Sequence, residues 1–234
     1  MTALSAEPAP TLFPVSILTT AYFPPVEFFF AIARSGRVLI EQHEHYQKQS
    51  WRSRCRILSA GGPEDLSVPI VKEERRSRPV RDIRIDYGEP WLQHHIRAFE
   101  AAYRSSAYFD YYADDLLPIL RSKPVFLFDL NMALLEKLLE LLDLHVPVSL
   151  TETFEKNPEN VPGLTGHPLD FRQRIQPKYK GESLLAEYHC EQAYYQVFVN
   201  QVPGQAGKDA PGFIPNLSVL DLLSAEGPDA CRFL

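Results

Sequence analysis

Paired cysteines are missing from this sequence. Its three, Cys55, Cys190 and Cys231, share no repeated spacing and no CxxC, which excludes a disulfide framework or a zinc ribbon as the organising device. A reducing cytoplasm is the expected compartment. GxSxG, P-loop, GxGxxG and kinase signatures are also absent, so the sequence names no cofactor and no ready-made phosphate cradle. The opening "MTALSAEPAPTLFPVS" has no basic segment ahead of an apolar one, so it reads as a flexible lead-in over 1–14 rather than a signal peptide. The apolar run 15–33 is broken by Pro24, Pro25 and Glu27, and no membrane span is expected there. Positive charge is not in excess either. A net charge of −6 over 234 residues argues against nucleic acid or an anionic membrane as partner.

What is present fits one α/β domain over 15–234, with a long loop at 152–181. "PVSILTT" is a short β-branched apolar run, "AYFPP" interrupts it, "VEFFFAIARSG" has helical length and a glycine stop, and "RVLIEQ" is a second strand. That order predicts an N-terminal βαβ unit. In an open α/β sheet, ligands sit at the carboxyl ends of the strands, which is where "TTAYFPP" and "EQHEHYQK" fall. From Trp51 the period becomes two, placing Trp51, Ser53, Cys55 and Ile57 on one face and Arg52, Arg54 and Arg56 on the other. "LSVPIV" and "VRDIRIDY" extend a mixed sheet, with "KEERRSRP" as an exposed hairpin loop between them. Three helices are expected in the middle, in "PWLQHHIRAFEAAYRSS", "YFDYYADDLLPILRS" and "FLFDLNMALLEKLLELLDL", with Pro118 kinking or ending the second. His94 and His95 read as surface or first-turn residues. "HVPVSL" is a further strand, and short helices close the chain, one opened by a capping box of Ser218 and Asp221.

Candidate chemistry concentrates between Lys48 and Arg84, where ten Lys or Arg face five Asp or Glu, and in the histidines just before. His43-x-His45, with Glu41 on the same face if the segment stays extended, supports three readings. These are a two-His, one-carboxylate metal site lacking a third ligand at recognisable spacing, a histidine acid/base or substrate contact, and a solvated pair. Tyr46 or Lys48 is placed to close over the same site. Lys48, Arg52, Arg54 and Arg56 form either an anion site suited to a diphosphate or an exposed face laced with ion pairs. Tyr22, Phe23 and Pro24 form a turn that either stacks a base or sugar or packs in the core. Cys55, on the apolar face, reads as an inert thiol.

The strings "AYFPPVEFFFAIA", "VLIEQHEHYQKQSWRSRCRIL" and "LSVPIV", continued by "IRIDYGEPWLQHHIRAFEAAYRSSAYFDYYADDL", "FLFDLNMALLEKLLELL" and "FIPNLSVLDLLSAEGP", carry a resemblance. The chain resembles the WbqC-like family, bacterial proteins of O-antigen and other surface-polysaccharide gene clusters, from Ile17 to Leu234. Tyr22, Phe23, Pro24, Lys48, Trp51, Arg54 and Ile57 match the family pattern. Gln42, His43, Glu44 and His45 stand where the pattern has Asp-Asp-x-Gln. The resemblance implies a transferase that acylates, by glycyl or aminoacyl transfer, an amino sugar or nucleotide-sugar in polysaccharide synthesis. On the reading of the residues themselves, His43, His45 and Lys48 are the catalytic set and Tyr22, Pro24, Trp51, Arg52, Arg54 and Arg56 the substrate contacts, with no metal ligand assigned. The alternatives are a non-catalytic binding protein for an anionic sugar or nucleotide, and a metal-dependent hydrolase using His43 and His45.

Overall fold

A computed structural model describes residues 10–74, 78–154, 156, 168–199 and 212–234. Its first elements are β1 (Ser16–Thr19), α1 (Val26–Ala33) and β2 (Val38–Glu41). Both strands are buried along their whole length, as near-continuous apolar strands of a parallel sheet must be. They pair in parallel, Ser16 with Val38 through Thr19 with Glu41, so the expected βαβ unit forms. α1 ends at Ala33, three residues before Gly36. A Cβ on Gly36 would lie 3.0 Å from the Pro14 carbonyl oxygen, so any larger residue would push the backbone at Pro14 back by a few tenths of an ångström. The lead-in is already anchored before residue 15. Residues 1–9 lie outside the described residues, but the Phe13 ring packs edge-on against Phe171 and Tyr188.

β5 (Val148–Leu150) and β6 (Leu169–Asp170) complete a four-stranded parallel sheet in the order β5-β2-β1-β6. β6 falls inside the segment read as loop, where two residues give no period to detect; 155 and 157–167 lie outside the described residues. The antiparallel pairing sits in a separate hairpin, β3 (Arg54–Ser59) with β4 (Gly62–Ser67), turning through Gly62 at φ 107°. "VRDIRIDY" forms a 3₁₀ turn, Val80–Asp82, and two isolated bridges rather than a strand. Glu74 is buried and accepts Arg84 Nε at 2.6 Å, so the basic segment is not wholly exposed; 75–77 lie outside the described residues.

α2 (Trp91–Tyr103), α3 (Phe109–Arg121) and α4 (Leu127–Leu141) are the expected amphipathic helices. α3 runs past Pro118 for three more residues. Pro118 and Asp114, whose carbonyl loses its donor, both lie on the exposed face, where water replaces the missing bond. α1 is buried on all sides, Phe28, Phe29 and Phe30 included, and is covered by α5 (Leu184–Glu187) and α6 (Val219–Glu226).

Ser218 caps α6, its Oγ accepting the Leu220 N–H at 3.3 Å. Asp221 does not complete a capping box. Its carboxylate turns inward and accepts Gln196 Nε2 at 2.9 Å. Ser218→Ala is expected to cost about 1 kcal/mol in thermal unfolding.

Candidate functional site

Because β1 and β2 are parallel neighbours, the loops leaving them emerge side by side at the carboxyl edge of the sheet. Charge is buried there. Glu41, the last residue of β2, is 1% exposed. Its Oε1 accepts the His43 N–H at 2.7 Å and the Thr151 hydroxyl at 2.9 Å, and its Oε2 accepts Arg172 Nη1 at 3.2 Å. Arg172 also grips Asp170, through Nε at 2.9 Å and Nη2 at 2.8 Å. In the strand order, β1 lies between β2 and β6, so this guanidinium reaches across the end of β1.

The bond from His43 N–H to Glu41 bends the chain as soon as β2 ends. Period two is lost, and the two imidazoles do not share a face with Glu41. His43 is half-buried with Nε2 3.1 Å from the Thr151 carbonyl. A carbonyl only accepts, so Nε2 donates the proton of that bond. His45 and Lys48 are exposed. His45 forms a backbone bridge with Pro79. Among the described residues no group of three or more His, Cys, Asp or Glu is placed to hold a metal ion.

The arginine row divides. Trp51–Ser53 is a 3₁₀ turn and β3 begins only at Arg54, so Arg52 falls out of phase with Arg54 and Arg56. Arg52 is 0% exposed and forks onto Glu44, Nε to Oε1 at 2.9 Å and Nη2 to Oε2 at 2.5 Å. Burial raises the Glu44 carboxyl, and Arg52 works against that rise. Arg54 and Arg56 remain on the outer face of the hairpin and share one carboxylate, Asp65. Arg56 holds it at 2.7 and 3.1 Å and Arg54 at 3.2 Å. The Arg56 guanidinium lies over the Trp51 ring at 5.8 Å.

Tyr22 and Pro24 are buried in the turn after β1. Tyr22, at 0% exposure, offers no ring face to a ligand. Its hydroxyl bonds His95 Nδ1 at 2.9 Å. His95 faces the core because Trp91, His95 and Phe99 recur at four-residue steps on the buried side of α2. Burial first, then His94, pushes its pKa down to about 4, so the ring is neutral at physiological pH. Phe23, between Tyr22 and Pro24, holds φ 41°, a costly conformation that the surrounding core enforces. Cys55 is buried, and burial pushes its thiol well up, leaving it inert as expected.

Two of the expected substrate contacts, Trp51 and Arg56, meet in a polar cleft of about 220 Å³ that Glu27, Gln176, Tyr179 and Asn216 also line. Glu27 is 5% exposed and stands in the first turn of α1, as its only charged residue. Burial raises its pKa, against opposing bonds from Asn216 and the Leu184 backbone and the charge of Arg174. Asn216, at φ 56°, turns Oδ1 to accept the Glu27 N–H at 3.0 Å. The opposite wall is the segment after β6. Gln176 Nε2 donates to the Arg172 carbonyl at 2.7 Å, and Lys178 contacts Gln49 of the loop after β2. The buried charges of the sheet edge and the cleft therefore share this wall. A lone acid in an otherwise apolar helix was the signal for Glu27. Gln176, Tyr179 and Asn216 come from segments with no readable period.

Among the described residues no helix is long and apolar enough to cross a membrane. The model of the WbqC-like protein family matches residues 20–233. An uncharacterized protein of Mycobacterium tuberculosis is 28% identical over 230 residues, spanning 94% of this chain and 97% of that one. No solved structure matches the chain.

Proposed function

Because the chain belongs to the WbqC-like protein family, we propose that it is a cytoplasmic transferase that acylates an amino sugar, free or as a nucleotide-sugar, for surface-polysaccharide synthesis. The acceptor sits in the cleft beside Glu27. One observation carries this reading: a polar cleft holding a buried carboxylate of raised pKa next to an aromatic ring and a guanidinium. Such a carboxylate is a suitable proton acceptor. The acceptor amine attacks the carbonyl carbon of an activated acyl donor, a thioester or acyl phosphate. The N–C bond forms, the bond to the leaving group breaks, and the amine proton passes to Glu27. Trp51 supports the sugar or base, and Arg56 meets the diphosphate at the cleft mouth. His43, His45 and Lys48 stand outside the lining of this cleft, so the base expected at the histidines moves to Glu27.

The test uses UDP-glucosamine with acetyl and glycyl thioester donors, following acylated product by mass spectrometry and affinity by calorimetry. Glu27→Gln is expected to lower turnover by about 100-fold and to leave the UDP-glucosamine Kd within about threefold. His43→Ala is expected to keep turnover. Loss of turnover in His43→Ala with Glu27→Gln unaffected would return the base to the sheet edge. Binding without product in the wild type would favour a protein that only grips its sugar, and absence of binding would remove the cleft reading for this ligand.

A further inference from the structure

Behind the cleft lies a side-chain amide whose two hydrogens and oxygen are all engaged. Gln196 is 3% exposed. Its Oε1 accepts the Ile214 N–H at 2.9 Å, and its Nε2 donates to the Ile214 carbonyl and to Asp221 Oδ2, both at 2.9 Å. The amide thus pairs with both backbone groups of Ile214 as a neighbouring strand would. Asp221 takes the remaining hydrogen and fixes which way round the amide lies. Ile214, Pro215 and Asn216 form one wall of the cleft. The far end of that wall is also tied: Asn216 holds the Glu27 N–H, the Val26 N–H donates to the Leu217 carbonyl, and the Ser218 N–H donates to the Arg56 carbonyl. Its near end has Gln196.

We propose that Gln196, oriented by Asp221, is a positioning residue that fixes the wall 214–216 against Glu27 and so sets the affinity of the cleft without touching the ligand. This rests on reading the cleft as the ligand site. Only a carboxamide of this length meets the requirement. Glutamate has no hydrogen for the Ile214 carbonyl, and methionine fills the space with no polar group at all.

The experiment measures amide hydrogen exchange and UDP-glucosamine affinity in the full chain carrying Gln196→Met or Gln196→Glu. Exchange at Ile214 is expected to quicken at least tenfold in Gln196→Met, which offers its N–H no acceptor, and less in Gln196→Glu, which still accepts that N–H and loses only the donor to the Ile214 carbonyl, with α2 and α4 unchanged as the check on folding. The Kd is expected to weaken about tenfold. Unchanged exchange at Ile214 in Gln196→Met would overturn the proposal, and so would unchanged affinity for a ligand that the wild type binds. A protective effect of the near-isosteric methionine would do the same, since it would reduce Gln196 to a space filler. If the wild type does not bind UDP-glucosamine, the cleft reading fails for that ligand, while the exchange at Ile214 still decides the positioning role.

Discussion

Glu44→Ala is expected to lower the unfolding free energy by about 3–5 kcal/mol. Arg52 has 0% of its surface exposed and both arms of its fork on Glu44. Removing the carboxylate leaves a buried guanidinium that cannot shed its proton at any accessible pH. Nη1 of Arg52 has no hydrogen-bond partner among the described residues, so the variant would strand a group that is already incompletely satisfied. The comparison that isolates the charge is the double variant Glu44→Met with Arg52→Met. It is expected to recover most of the loss, because an apolar pair of similar volume carries no desolvation cost. Urea unfolding of the three proteins checks this. A loss below about 1 kcal/mol in Glu44→Ala would mean that Arg52 reaches water or another carboxylate.

Arg172→Met is the second large effect, at about 2–4 kcal/mol. The wild-type guanidinium joins Asp170 of β6 to Glu41 of β2 and lies over the Phe154 ring at 5.6 Å. Methionine keeps much of the packing and removes the bridge. β6 is two residues long, and it is held to β1 by the Leu169 N–H to the Val15 carbonyl and, just past its end, the Phe171 N–H to the Ile17 carbonyl. A strand that short has little pairing of its own, so exchange at these two amides is expected to accelerate more than elsewhere. Slow exchange there, with a normal urea midpoint, would show that the bridge contributes no net stability.

Most of the fold was legible where residues interact locally. "SILT" and "VLIE" lack any polar alternation, which is what burial on both faces requires, and the three middle helices show their buried stripe at three- and four-residue steps. The site was less legible, because its partners are distant in sequence. Glu41 meets Arg172 across 131 positions, and no spacing rule connects them. Arg52 was placed with Arg54 and Arg56 because alternation carried no sign of the 3₁₀ turn at Trp51–Ser53. His95 sits on the apolar stripe of α2, and its neighbour His94 encouraged a surface reading for both. Trp51 and Arg56 do meet at the cleft, Trp51 from the 3₁₀ turn and Arg56 from the outer face of the hairpin, and not through the sheet edge that the βαβ unit suggested. Glu27 was visible only as an interruption in an apolar run.

The all-round burial of α1 has a consequence for biosynthesis. Its covering elements, α5 and α6, lie more than 150 residues further along the chain, and the β1–β6 pairing is equally remote. On the ribosome, the segment "VEFFFAI" therefore emerges long before anything can shelter it. Nascent chains arrested ahead of residue 184 should recruit chaperones through this segment, and release of full-length protein should end that dependence.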